Sequence, residues 1–560
     1  MHGGHRRLLP TRRLHIIPAM RIAIGQVNVH VGAIDANTKK ILARIEEAKA
    51  SHCDLVVFPE LAICGYSPHD LFWKDGFLAS CQSAIERIRN ASMGIGIIIG
   101  GVAASHNREP SNKDNVSSVS DGALVNLYNR AYLMEDGAIL GTVDKQHLPS
   151  YDVYCEKRHF TPGEGTTVHA FRNHTLGINM CEDLWIDEGP TDLQASLGAD
   201  WIINLSASPF YIGKPQIRTR LAARRTKENQ VGLVYVNLVG GQDEIVFDGA
   251  SFVFDSRGRQ TFQAPLFQEG LYIVDLDHSK PLGPTQALEI DDIREALVLS
   301  VRDYVHKNGF SRVVLGLSGG IDSAVVAALA AQALGPDHVD CVYLPSEFSS
   351  STSAEDARAV ASNLGTSFET IDITQVHHVV RDALPSTPTG LVDENLQPRI
   401  RGTVLMALAN QRRALVLCPG NKSEIAVGYN TLYGDTVGAL APIADLYKGQ
   451  VVALAASFGD LIPDRIRTKP PSAELRASQR DDDDLPPYDV LDDILKQIIE
   501  ANASRRQLLA QGFDSNVVED VLQRVRRSEY KRKQLPPGVK ISPKAFGSGR
   551  RIPLTNGFLD

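Results

Sequence analysis

Between an apolar run and an alanine-rich stretch the chain reads Ser318-Gly319-Gly320-Ile321-Asp322-Ser323. Two glycines let a backbone turn with positive φ and approach an anion closely. The helix pattern that follows aims free N–H groups and a positive dipole end at the same point. Ser318 and Ser323 add hydroxyl donors. Asp322 would repel a phosphate directly, so it suits such a place only with a divalent cation between them. The segment is not a Walker loop, because GxxxxGK[ST] is absent. Strand, glycine turn and helix over residues 313–334 together predict a phosphate cradle.

A second set of chemical groups lies upstream. Glu60, at the end of the strand pattern DLVVFPE (54–60), sits in PELAICGY (59–66), Lys145 sits in DKQHLPSYDVYCEKRHF (144–160), and Cys181 sits in NMCEDLW (179–185). A thiolate attacks an amide carbonyl more readily than water does. A buried thiol resists ionising, so a base and a cation must stand beside it. Glu60 can take the thiol proton and return it to a leaving ammonia. Lys145, with the backbone N–H that follows Cys181, can stabilise a tetrahedral oxyanion. These segments resemble the nitrilase superfamily, whose catalytic set is Glu, Lys and Cys in this chain order, and the resemblance spans residues 21–260. It implies an α-β-β-α sandwich and a glutaminase. It also implies that Tyr151, Glu156, Ser208 and Lys214 hold the glutamine, with Glu156 orienting Lys145 or the substrate. Cys53, Cys64 and Cys155 read as small core residues.

The glycine segment itself resembles that of the ATP pyrophosphatase superfamily, whose members cleave ATP between the α- and β-phosphates. Later blocks resemble the NAD synthetases in order and wording: LPSEFSSSTSAEDA (344–357), ENLQPRIRGTVLMALAN (394–410), GNKSEIAVGYNTLYGD (420–435), PIADLYKGQV (442–451), TKPPSAEL (468–475) and EYKRKQLPPGVK (529–540). That resemblance covers most of residues 313–540 and implies an open parallel-sheet domain of the adenine nucleotide α-hydrolase-like kind. It places Gly316, Leu317, Ser318, Gly319, Gly320, Ile321, Asp322, Ser323, Pro419, Lys448 and Ser472 on the ATP side. It places Asn395, Glu424 and Lys531 toward deamido-NAD, and it makes Asp322 and Glu424 the acids for Mg²⁺. One position departs from the pattern. Where the family has Thr-Gly-Asn before Lys-Ser-Glu, this chain has Pro419-Gly420-Asn421, and proline offers neither a hydroxyl nor an N–H.

Residues 20–277 alternate β-rich runs with helical stretches, which suggests an α/β layered domain. Strands are predicted at 22–29, 54–60, 94–102, 200–208 and 231–239, with a helix at 37–50. Pro281, Gly283 and Pro284 mark a linker at 278–285. A helix over 288–306 follows, then the cradle, then strand patterns at 340–345 and 414–420, giving a second domain over 286–560. Residues 1–19 hold four arginines and no acid. They read as a disordered extension or as the product of an upstream start codon, with Met20, just before the first strand pattern, as a natural start. The run of four aspartates at 481–484, between Arg480 and Pro486–Pro487, reads as a solvated loop.

Composition narrows the classes of function. Of 560 residues, 43% are hydrophobic and 22% charged, and the formal net charge is −8, as in a soluble globular protein rather than a nucleic-acid binder. Seven irregularly spaced cysteines show no CxxC metal pairing and suit a cytoplasmic enzyme with reduced thiols. No apolar run is long enough to span a bilayer.

Both resemblances together imply a glutamine-dependent NAD synthetase that uses ATP, Mg²⁺, L-glutamine and deamido-NAD, with ammonia passed between two centres. By analogy the chain forms a homo-oligomer. Two rival readings remain at this stage: a GMP-synthetase-like amidotransferase, whose glutaminase usually carries Cys-His-Glu instead, and a nucleotide-sensing protein with an inactive nitrilase domain.

Overall fold

A computed structural model of the chain describes residues 20–105, 126–277, 279–283, 290–476 and 479–558. The extension at 1–19 and most of the predicted linker lie outside these residues. The first half runs β1 (Arg21–Gln26), α1 (Ile34–Ala50), β2 (Leu55–Val57), α2 (Asp75–Asn90), β3 (Gly96–Ser105), β4 (Asn126–Glu135), β5 (Ala138–Asp144), β6 (Val168–Phe171), β7 (His174–Met180), α3 (Pro190–Ser196), β8 (Trp201–Ser206), α4 (Lys214–Asn229), β9 (Gly232–Asn237), β10 (Val239–Gln242), β11 (Ile245–Asp248), β12 (Phe252–Phe254), β13 (Gln260–Gln263) and β14 (Gly270–Asp275).

Two six-stranded sheets form, in the orders β14-β1-β2-β3-β4-β5 and β13-β12-β9-β8-β7-β6. The β-branched and leucine-rich runs read in the sequence are buried on both faces, as strands between two covered layers must be. Ile22, Ile24, Val57 and Ile98 of one sheet meet Ile178, Ile203 and Val234 of the other. On the outer faces, Ile41, Ile45, Ile85 and Ile88 of α1 and α2 pack on the first sheet, and α4 supplies Ala222 against the second. The α-β-β-α sandwich implied by the resemblance is therefore present.

The second half runs α5 (Ile290–Lys307), β15 (Val313–Gly316), α6 (Ile321–Leu334), β16 (Val339–Tyr343), α7 (Ser351–Leu364), β17 (Ser367–Thr370), α8 (Thr374–Asp382), α9 (Leu391–Arg412), β18 (Leu415–Val416), α10 (Lys422–Val427), α11 (Lys448–Ser457), α12 (Asp464–Thr468), α13 (Tyr488–Ile499), α14 (Arg505–Ala510), α15 (Ser515–Arg527) and α16 (Glu529–Arg532). Its sheet is parallel throughout, in the order β17-β16-β15-β18. The strand order reverses beside β15, so the glycine turn at its carboxyl end lies where open α/β sheets bind ligands. Helices α5, α6 and α11 cover one face and α9 covers the other.

The halves share one hydrophobic core, in which Phe210, Val239 and Phe267 join Ala296, Leu297 and Val301 of α5. Polar contacts pin the seam. Asp303 accepts from the Gly241 N–H at 2.8 Å and from Asn28 at 2.7 Å. Lys307 Nζ donates to the Val29 and Gly241 carbonyls at 2.9 and 2.7 Å.

Candidate functional site

Glu60, Lys145 and Cys181 each follow a strand of the sandwich, namely β2, β5 and β7. Paired sheets bring these three ends together, though the residues are far apart in the chain. Lys145 Nζ donates to Glu60 Oε1 at 2.7 Å and to Glu156 Oε1 at 2.8 Å, and all three side chains are buried. Asn129 holds Glu60 Oε1 at 2.7 Å, and the Ala207 N–H holds Glu60 Oε2 at 3.0 Å. The turn carrying Glu60 presses on β3 so closely that a Cβ at Gly100 would lie 2.7 Å from the Glu60 Cα. Cys181 adopts φ +43°, a left-handed backbone that non-glycine residues rarely take and that clusters at active sites.

Burial favours neutral forms here, and the charges oppose it selectively. Burial and the Glu60 carboxylate push the Cys181 thiol far up, while Lys145 pulls it down. Burial works against the Lys145 charge, yet Glu156 and Glu60 outweigh it and hold the ammonium well above the usual lysine range. Burial pushes Glu156 to about 7, partly offset by Lys145. Tyr66 donates to Glu156 Oε1 at 2.8 Å, and Glu156 Oε2 is buried without a partner. Burial and these charges together favour a neutral Cys181 thiol beside a charged Lys145.

The other predicted glutamine contacts lie around this centre. Tyr151, 55% exposed, donates to Glu182 at 2.9 Å. Ser208 is buried after β8, with its N–H on Asn237 at 2.9 Å. Lys214 opens α4 with Nζ 4.1 Å from the centroid of the Trp185 ring, and burial lowers it to about 8. Sequence reading missed Asn129, Tyr66, Trp185 and Asp183. The Asp183 carboxylate takes the N–H groups of His147 at 2.8 Å and Met180 at 3.2 Å, stapling the lysine segment to the cysteine turn. Trp185 and Asp183 stand within NMCEDLW and Tyr66 closes PELAICGY, so these three had a signal and Asn129 had none.

In the second half, Gly319 has φ +82°, and a Cβ there would meet the Ser353 carbonyl at 2.3 Å. The turn is therefore possible only with glycine. Gly320 caps α6, and the Ser318 and Ser323 hydroxyls lie 3.1 Å apart. The turn opens on a cavity of about 310 Å³ lined by Gly316, Leu317, Ser318, Gly320, Ile321, Asp322, Ser323, Pro419, Glu424, Lys448 and Ser472. Lys448 Nζ sits 2.6 Å from Asp322 Oδ2 and 3.3 Å from Glu424 Oε1. Asn421 donates to Asp322 Oδ1 at 2.9 Å and caps α10 through the Glu424 N–H at 3.0 Å. Burial pushes Glu424 to about 8, with Lys448 opposing.

Asn395 and Lys531 stand one layer behind the wall. Thr431, which lines the cavity, donates to Asn395 Oδ1 at 2.6 Å. Lys531 Nζ is spent on the Gly428 and Asn430 carbonyls at 2.8 and 2.7 Å. Ser472 donates to the Gln479 carbonyl at 2.6 Å. The aspartate run is not uniformly solvated. Asp482 and Asp483 are exposed, but Asp481 is 4% exposed and lines the cavity. Its Oδ2 accepts from Tyr488 at 3.1 Å, and its Oδ1 is buried without a partner. Buried Leu485 and Tyr488 draw that end of the run inward. The donor set of hard oxygens, already gathered around one ammonium, fits Mg²⁺.

A thiol hydrolase centre and a phosphate-binding cavity on one shared core define a two-centre ligase class, in which one domain frees a nitrogen group and the other uses it. Family models agree: carbon-nitrogen hydrolase matches residues 21–280 and NAD synthase matches residues 293–535. The glutamine-dependent NAD(+) synthetases of Acinetobacter baylyi and Synechocystis are each 41% identical, over 96% of this chain and 99% of theirs. The glutamine-dependent NAD(+) synthetase of Acinetobacter baumannii, solved with ADP, superposes with a TM-score of 0.74 at 37% identity over 96% of this chain and 99% of that one. That of Cytophaga hutchinsonii, 23% identical over 96% and 98% of the two chains, shares the fold with a TM-score of 0.81. The chain belongs to the glutamine-dependent NAD(+) synthetase family.

Proposed function

We propose that this enzyme amidates deamido-NAD with ammonia freed from L-glutamine, converting ATP to AMP and pyrophosphate. The observation that carries the reading is the pairing, on one fused core, of the Glu60–Lys145–Glu156 clamp beside Cys181 with the glycine-turned cavity around Asp322 and Glu424. In the first half-reaction Glu60 accepts the Cys181 proton and the thiolate attacks the glutamine side-chain carbonyl carbon. Lys145 and the N–H of Glu182 stabilise the oxyanion. Glu60 returns the proton to departing ammonia, then deprotonates the water that frees glutamate from the thioester. Lys214 and Tyr151 hold the glutamine, with Lys214 as the cation for its α-carboxylate.

In the second half-reaction a nicotinate carboxylate oxygen of deamido-NAD attacks the α-phosphorus of ATP, and pyrophosphate leaves. Ammonia then displaces AMP from the acyl adenylate. Ser318, Ser323 and the first amides of α6 bind phosphate oxygens, and Lys448 neutralises charge on the leaving pyrophosphate. Asp322 and Glu424 would hold Mg²⁺, which when bound screens the phosphate charge. Asn395 and Lys531 shape the deamido-NAD side through Thr431 and Asn430.

We also infer a boundary at 278–285, between β14 and α5, and ammonia transfer across the shared core. A cavity of about 10 Å³, room for about one water-sized molecule, lies between Tyr66, which touches Glu156, and Lys307 of α5. Full competition by external ammonium in a nitrogen-labelling experiment would rule channelling out. All seven cysteines are free, which supports a reducing, cytoplasmic setting. Among the described residues no helix is long and apolar enough to cross a membrane. A homo-oligomer remains part of the proposal, to be read by sedimentation.

The reading is tested by product analysis with glutamine, ATP and either deamido-NAD or xanthosine monophosphate. AMP and pyrophosphate should form with deamido-NAD alone. ADP with orthophosphate, or turnover of xanthosine monophosphate, would overturn it.

A further inference from the structure

Asp481 is a buried acid lining the nucleotide cavity that the steps above leave unused. Its backbone belongs to a short turn, Asp481–Asp483, but its side chain does nothing for that turn. The turn's capping is done by Asp483, whose carboxylate accepts the Arg480 N–H at 3.0 Å. The Asp481 side chain faces the cavity instead, buried, with Oδ2 on the Tyr488 hydroxyl and Oδ1 without a partner. A buried carboxylate oxygen left unsatisfied costs free energy and calls for a missing partner.

The charges around it indicate what the partner is. Asp322, Glu424 and Asp481 all line the cavity. The cation in contact with this group is Lys448, which bonds the first two and also lies in the field of Asp481. Three acids therefore share this one ammonium, and ATP adds further negative charge. Among the described residues no three acids, histidines or cysteines are drawn into a ready-made cage. Mg²⁺ keeps several waters and takes phosphate oxygens, so it needs no closed protein cage.

We propose that Asp481 is a third carboxylate of the magnesium site, presented by Tyr488, and that Lys448 fills the cation's place until Mg²⁺ arrives with ATP. This rests on the reading that Asp322 and Glu424 hold the metal. With the metal bound there, Lys448 would be free to turn toward the pyrophosphate, so that metal loading and cation delivery would be one event.

The test is Mn²⁺ binding to the full-length protein with α,β-methylene-ATP, followed by loss of the free-ion electron paramagnetic resonance signal. Asp481→Asn should weaken Mn²⁺ by about tenfold or more, and Asp482→Asn, on the exposed neighbour, should not. Asp322→Asn separates the two layers of inference. If it too binds Mn²⁺ normally, the underlying metal reading fails. If it weakens binding while a folded Asp481→Asn does not, only the Asp481 proposal falls. A second measurement needs no variant: in wild-type crystals with Mn²⁺ and the same nucleotide, an anomalous peak should lie within about 4.5 Å of Asp481, directly or through one water. A metal beyond that reach overturns the proposal.

Discussion

Each half of the molecule holds a lysine between two carboxylates, and the two clamps do opposite things. Lys145 lies between Glu60 and Glu156 at 2.7 and 2.8 Å, sealed in the sandwich. Lys448 lies between Asp322 and Glu424 at 2.6 and 3.3 Å, on the wall of an open cavity of about 310 Å³. The first arrangement is fixed, because removing the ammonium strands two buried acids. The second is exchangeable, because ligands that bring their own cation can take its place. The same local chemistry is fully buried in one half and lines a cavity in the other, and on the functions proposed above it serves as a fixed oxyanion device in the first and a displaceable counter-ion in the second.

The largest effect expected is the separation of the two centres. Cys181→Ala should lower glutamine-driven NAD formation by a factor of about 10⁴ or more, the scale of losing a covalent nucleophile, and leave the ammonium-driven rate within about twofold. Rates with each nitrogen source decide it, and loss of both would mean that Cys181 does not belong to a separate glutaminase. Asp322→Asn should instead cost both nitrogen sources alike, by roughly 10²–10³. Normal turnover with ammonium in that variant would remove Asp322 from the nucleotide site.

The two lysines then distinguish a permanent clamp from an exchangeable one. Lys145→Ala should lower glutaminase turnover by about 10² and cost about 3–5 kcal/mol of stability, because Glu60 and Glu156 lose their shared cation inside a dry core. Lys448→Ala also loses a cation, but the adjoining cavity admits Mg²⁺ in its place. Melting curves with and without magnesium read the contrast: the ion should restore much of the stability lost in Lys448→Ala and none of that lost in Lys145→Ala. Equal recovery, or none in either, would dissolve the distinction.

What the sequence disclosed follows the same division. The glycine turn was legible because Gly319, Gly320 and the flanking strand and helix are contiguous, and its geometry is local. Glu60 and Cys181 were legible as groups at the ends of apolar, β-branched runs. Asn129 and the Ala207 N–H, which fix Glu60, come from β4 and the end of β8, and only sheet pairing brings them there. Asp481 was hidden for another reason. A run of like charges has the pattern of a solvated loop, and the burial of its first member depends on Tyr488 and Leu485 packing against a distant cluster. Asn395 and Lys531 show the converse, since they stand in recognisable motifs while Thr431 and backbone carbonyls take up their side chains behind the cavity wall.

The smallest effect concerns Lys214, at the rim of the sealed site. Burial first, and then the Arg218 charge, lower its ammonium to about 8. A lowered lysine is charged below that pH and neutral above it, so its hold on the glutamine α-carboxylate is present below pH 8 and fades as pH rises through 8. The kcat/KM for glutamine, which reports groups of the free enzyme, should fall by up to about tenfold per pH unit above 8. The ammonium-driven reaction should rise over the same range, because more of that nitrogen is then unprotonated. Lys214→Arg, whose charge survives to far higher pH, should flatten the glutamine limb and leave the ammonium limb unchanged. A glutamine profile that stays flat past pH 9 in the unmodified enzyme would place the substrate carboxylate on some other cation.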